Sequence, residues 1–174
     1  AIARIYSYLP PIDGVQQGNY APIIRLFAPT KLQMAVVNGK YNPSEKTNFG
    51  FEFAGSHADQ NLFSNLDDSN NNGFAGRITG DQQVVQFADS SHVNLYGNFN
   101  YLDNNFQSVE RLFNVEFNRD WNIALTPFGN QRYIQTGVNY IIPRKGNITY
   151  QFENLDYSES YDGVRHLFVS NLNF

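Results

Sequence analysis

HVNLYGNFNY, residues 92–101, alternates without a break. Val93, Leu95, Phe99 and Tyr101 fall on one side of an extended chain, with His92, Asn94, Tyr96, Asn98 and Asn100 on the other. Successive side chains of a strand point to opposite faces, so a period of two reads as a strand with one apolar and one polar surface. The same pattern recurs on both sides of this stretch. Phe49, Phe51 and Phe53 oppose Gly50, Glu52 and Ala54. In RYIQTGVNYII, residues 132–142, Ile134, Val138, Tyr140 and Ile142 oppose Tyr133, Gln135, Gly137 and Asn139. In NITYQFEN, residues 147–154, Ile148, Tyr150 and Phe152 oppose Thr149, Gln151 and Glu153, and VRHLFVSNLNF, 164–174, repeats the theme.

Further strands are expected at 31–37, in GFAGRITG (73–80), in QQVVQF (82–87) and in SVERLFNVEFNRDWNI (108–123), where Phe113, Val115 and Phe117 oppose Asn114, Glu116 and Asn118. A short one is expected at Ile23–Phe27. Asn38-Gly39, prolonged through Tyr41–Lys46, and Pro143–Gly146 read as turns, and 57–73 and 155–163 as loops. No stretch carries a helical period. The fold class is therefore all-β, an antiparallel meander of about eight to ten strands. Residues 31–174 form the sheet or barrel domain, and 1–30 an irregular lead-in that holds four of the seven prolines and the turn signals Asp13-Gly14 and Gly18-Asn19.

Composition agrees. Aromatic residues make up 16% of the 174, and charged residues only 16%, against about 25% in ordinary soluble domains. Amides fill the polar half, with Asn occurring 23 times. A net charge of −4 and the absence of any Lys/Arg block exclude a nucleic-acid footprint. Zero cysteines exclude disulfides, thiolate catalysis and Cys-ligated metals. No apolar run approaches the roughly 20 residues of a transmembrane helix, so any membrane role falls to strands or to an anchor outside this chain. Ala1 follows no leader pattern and reads as a mature terminus or a fragment boundary.

Alternation fits both a soluble barrel, apolar side inward, and a membrane barrel, apolar side to lipid. Three features favour the membrane. The later strands reach the 9–11 residues, roughly, that a tilted crossing needs. Their polar side is built of Asn, Gln, Thr, Tyr and Gly rather than Lys. Tyr101, Tyr140, Tyr150 and Phe174 suggest aromatic girdles near strand ends.

The segments YAPIIRL, NLFSNLDDSNNNGFAG and VERLFNVEFNRDWNI resemble parts of large outer-membrane β-barrel proteins of the Bacteroidota, over roughly Gly14 to Gly163, with Glu116–Asn122 (EFNRDWN) the most specific element. The resemblance implies a β-barrel fold, an outer-membrane location and, since such proteins are much longer, one section of a larger wall. It implies no enzymatic activity. The chain's end agrees in part with a terminal outer-membrane strand: Phe174, Leu172 and Phe168 fit its alternate apolar pattern, whereas Ser170 and His166 do not and lean toward a cut edge.

Asp68, Asn70 and Asn72, followed by Gly73, match the first half of a calcium-binding loop, but Thr79 stands where a bidentate Glu belongs. An Asx-rich turn that satisfies its own backbone competes with the calcium reading. Glu110, Arg111, Glu116, Arg119 and Asp120 gather enough carboxylates for a glycosidase-like pair, yet cross-strand ion pairing suits them better. His57, His92 and His166 show no metal-ligand spacing. The expectation is a non-enzymatic, structural or transport-related barrel section. Its partners are outer-membrane lipid and other envelope subunits, and no nucleic acid. The alternative is a soluble or secreted β-sandwich or calycin-like module that binds carbohydrate or another small ligand.

Overall fold

A computed structural model describes residues 7–18, 27–66, 68–125, 127–158 and 160–173. Seven strands form one antiparallel sheet in sequence order. They are β1 (Lys31–Ser44), β2 (Thr47–Asp59), β3 (Asn72–Gln86), β4 (His92–Leu102), β5 (Gln131–Ile142), β6 (Gly146–Tyr157) and β7 (Tyr161–Leu172). The meander is as expected, and the sheet is open: β1 and β7 do not pair with each other.

The strand count is corrected in two places. GFAGRITG and QQVVQF are one strand, β3, which pairs with β4 through a register shift between Gln83 and Val85. A bulge adds a residue without ending the ladder. The segment 108–123 is not a strand but carries the helical turn α1, Phe117–Asp120. The strand expected at Ile23–Phe27 falls, but for Phe27, outside the described residues. So does Phe174.

Turn positions shift as well. β1 runs straight through Asn38-Gly39, and the chain reverses at Glu45-Lys46. Gly39 serves packing instead: a Cβ there would lie 2.6 Å from Cζ of Phe51, whose ring lies across it from β2. The 57–73 loop shrinks to 60–71, and 155–163 to the tight reversal Ser158–Ser160. In the lead-in, Ile12 bridges Val15 around Asp13 (φ 50°) and Gly14 (φ 80°), the left-handed pair that the Asp-Gly signal promised.

The two ends of the sheet differ. One carries only the short turns Glu45-Lys46, Phe87–Ser91 and Pro143–Lys145. The other carries the 60–71 loop, the long 103–130 connection and the Ser158–Ser160 turn. In the Phe87–Ser91 turn, Asp89 accepts from the Ser91 hydroxyl (2.6 Å) and amide (3.1 Å), which holds its carboxyl below the ordinary value.

Register assembles the alternating residues into two faces. Phe51, Ile78, Phe99 and Ile134 lie side by side across β2 to β5, and Leu95, Val138, Tyr150 and Phe168 across β4 to β7. Phe53, Phe74 and Tyr101 make a row of rings at the long-loop end, with centroids 6.1 and 6.3 Å apart. Phe87 and Tyr140 meet edge-on at the other end. Tyr150 is not at a strand end. It sits mid-face, where its hydroxyl shares a hydrogen bond with Nδ1 of His166 at 2.9 Å.

This aromatic face is bare. Phe49, Ile78, Leu95, Val138, Tyr150 and Phe168 are exposed, and Trp121 and Leu155 are the only buried hydrophobic residues among those described. Full burial of such side chains is worth about 1.5–3 kcal/mol each. Half of that, unrealised over roughly a dozen residues, is about 9–18 kcal/mol, as large as the 5–15 kcal/mol or so that stabilise a typical domain.

Candidate functional site

The opposite face is polar, and its centre is a carboxylate. Glu153 on β6 is 2% exposed. Its Oε1 accepts from the Tyr133 hydroxyl (2.8 Å), Gln151 Nε2 (2.7 Å) and Gln135 Nε2 (3.5 Å), while Oε2 accepts from Arg165 Nε. Pairing dictates this: Gln135, Glu153 and Arg165 are cross-strand neighbours on β5, β6 and β7. Buried charge is tolerated only when paired and hydrogen-bonded, and here both conditions hold.

Tyr96 extends the network to a fourth strand. Its hydroxyl, on β4, donates to Gln151 Oε1 on β6 at 2.6 Å. The ring crosses β5 at Gly137, where a Cβ would overlap it. Any other residue at 137 would lift the tyrosine off the sheet. Beyond it, Asn139 Oδ1 accepts from Thr149 Oγ1 (3.1 Å) and Asn147 Nδ2 (3.4 Å), so the amides bond to one another along the face.

Residues 103–130 fold back over the long-loop end of this polar face as a strap. Its first turn lies on β2 and β3: the Gln107 amide donates to Ser56 Oγ at 3.0 Å, and the Phe106 backbone fills the space a Cβ would need at Gly73. Leu112 and Phe113 line a cleft of about 130 Å³ with Glu52, Ala54, Arg77 and Asn100. Trp121, 5% exposed, reaches β5 and β7. Its ring meets Tyr133 edge-on at 6.1 Å, Arg165 lies 5.0 Å over the ring centroid, and its carbonyl accepts from the Tyr161 hydroxyl. One arginine thus joins the buried carboxylate to the strap.

The strap's helical turn has local causes. Phe113, Phe117 and Trp121 are four apart and meet in series, the first pair stacked at 4.3 Å and the second tilted at 6.4 Å. Glu116 pairs with Arg119 at 2.8 Å across one turn. Asn122 (φ 53°) caps it, its amide donating to the Arg119 carbonyl while the Ile123 amide donates to that of Asn118. Glu116, Arg119 and Asp120 therefore pair along the chain, not across strands as expected, and Glu110 and Arg111 form no ion pair among the described residues. Asn104, Asn130, Ser158 and Ser160 tie the strap's ends together through side-chain to backbone bonds of 2.8–3.2 Å.

Gly73→Ala is expected to lift the strap's first turn and to cost about 1–3 kcal/mol. Gly55→Ala, with nothing within 4 Å of the new methyl, serves as the neutral control. Denaturant midpoints measured side by side check the difference.

The calcium-loop residues are divided between two elements. Asp68 and Asn70 belong to a 3-10 turn, where Asp68 Oδ1 accepts from Asn71 Nδ2 at 2.9 Å. Asn72 is already in β3, and its Oδ1 shares a 2.9 Å hydrogen bond with Nδ1 of His57. Asn70 lines a cleft of about 230 Å³ with Asn71, Asn104, Asn105 and Gln107. His57, His92 and His166 stand on three different strands. Among the described residues no group of three His, Cys, Asp or Glu could hold a metal ion.

Chemically, the Glu153 site is saturated. Four donors occupy its oxygens, so its role is to hold strands and strap in place. Sequence reading set Glu153 and Gln151 on the polar side without joining them to Arg165 or Tyr133. The available signal was a charge in mid-strand on a face otherwise made of amides. No helix among the described residues is long and apolar enough to cross a membrane, a statement that does not concern strands. No protein-family model matches this sequence, and comparison with curated proteins and with solved structures finds no match.

Proposed function

We propose that this chain is a section of the wall of a bacterial outer-membrane β-barrel, structural or transport-related and non-enzymatic. Its aromatic face lies on lipid, and its amide face and strap line an aqueous interior. The observation that carries this reading is the bare apolar face of a sheet whose other face holds the buried charge and the strap. Dimensions support it. From Ile134 to Ile142, β5 runs about 27 Å along the strand, or about 21 Å of depth at a tilt near 40°, close to the ~25 Å apolar band of such barrels. The end asymmetry supports it too: short turns would face the periplasm, and the 60–71 loop and strap the outside. The bacterial setting draws on the resemblance of Glu116–Asn122.

Fractionation tests the proposal. The protein is expected in the outer-membrane fraction, to need detergent for extraction, and to migrate faster on gels when unheated. Recovery from buffer alone as a monodisperse monomer would sink it and favour the soluble ligand-binding module.

A further inference from the structure

We propose that the edges of β1 and β7, which pair with no further strand among the described residues, are interfaces for β-strands that run from the short-turn end to the long-loop end, and that those strands are not supplied by second copies of this sheet. The inference rests on the barrel reading and adds the partner's direction and chemistry.

Direction comes from parity. With seven antiparallel strands in sequence order, β1 and β7 both run from the long-loop end to the short-turn end. Joining them directly would make a parallel pair, so antiparallel closure needs an odd number of further strands. Lipid leaves no backbone group unpaired, so both edges must be filled. Two copies inserted the same way up keep all their edge strands parallel. A twofold axis that pairs β1 with β1 antiparallel would turn one copy upside down in the membrane.

Chemistry comes from the edge strands themselves. Exposed edges are ordinarily protected by mid-strand Lys, Pro or bulges. β7 has no Lys or Pro at all, and in β1 no Lys or Pro falls between Leu32 and Gly39, with the register shift confined to Tyr41–Ser44. Over part of their length both are also apolar on their polar-face side, between Asn38 and the start of β1 and between Arg165 and Asn171 of β7, unlike the strands between them. β1 places Leu32, Met34 and Val36 there, opposite Ala58, Ser56 and Ala54, and β7 places Leu167 and Val169. A strand buried on both sides reads as a continuous apolar run. The partner strands are accordingly apolar on both faces beside these residues.

The absence of native cysteine makes the test clean. Val37→Cys on β1, Phe168→Cys on β7 and the double variant are oxidised in the native envelope. Amide exchange of β1 and β7 is compared there and in the detergent-refolded chain. The expected result is no disulfide between copies and none between positions 37 and 168. Edge amides should be protected along their full length in the envelope, with alternate ones exchanging on the order of 100-fold faster in the isolated chain. Copy-to-copy disulfides, a 37–168 disulfide, or alternate amides still fast in the envelope would each overturn the inference. Recovery without detergent is a different failure, that of the barrel reading itself.

Discussion

Arg165→Ala is expected to destabilise the folded sheet by about 3 kcal/mol or more, because it leaves the Glu153 carboxylate buried without its counter-ion. Glu153 is 2% exposed with Arg165 in place, and water entering through the half-exposed position of the guanidinium would offset only part of the lost pairing. The same change removes the cation above Trp121, and the indole is the chain's only tryptophan. Unfolding midpoints should fall, and at low denaturant the Trp121 emission should shift to the red and become accessible to a soluble quencher while the strand signal in circular dichroism stays. Arg165→Lys should recover the charge but not the stacking, giving an intermediate value. A double variant, Arg165→Met with Glu153→Gln, removes both charges and keeps an oxygen for Tyr133 and Gln151. It should cost less than Arg165→Ala alone. A single-variant loss below about 0.5 kcal/mol would mean that the pair does not organise the polar face.

Val138→Lys should be the most damaging exchange on the aromatic face. Val138 stands mid-strand on β5 between Leu95 and Tyr150, 39% exposed in the isolated sheet. In lipid a lysine at that depth costs about 2–4 kcal/mol. In water it would be neutral or would improve solubility, so the sign of the effect reports what the face touches. Asn38→Lys is the matched control. It puts the same charge on the polar face of β1, opposite Glu52, and should stay within about 0.5 kcal/mol of the parent. Folding yields in bilayers of defined composition, read by the unheated gel shift, separate the two.

Much of the sheet was legible because its face-forming residues keep strict register with a period of two. Phe49, Phe51 and Phe53, residues 92–101 and residues 147–154 announce their faces from local sequence alone. Where reading failed, two periods or two roles shared the same letters. Phe113 and Phe117 fit a strand, and they fit one helical turn equally well. The exposed Val115 and the contact of Trp121 with Phe117 show that the spacing of four prevailed. Asn38-Gly39 fits a hairpin turn, yet the glycine is needed under the ring of Phe51. Gly80, read as the end of a strand, sits inside β3 opposite Gly97.

By itself, then, the sequence determined an all-β meander, the membership of each face and the preference for amides over charges on one of them. These follow from side-chain direction and composition, which are local. Only the tertiary structure decided which groups meet. Glu153 finds Arg165, Tyr133 and Gln135 because β5, β6 and β7 align in one register. Tyr96 reaches across β5 because Gly137 lies beneath its ring, and Trp121 arrives from a connection that sequence had drawn as one more strand. Contacts between residues far apart in the chain depend on register and on how the 103–130 segment folds back, and no local period carries either.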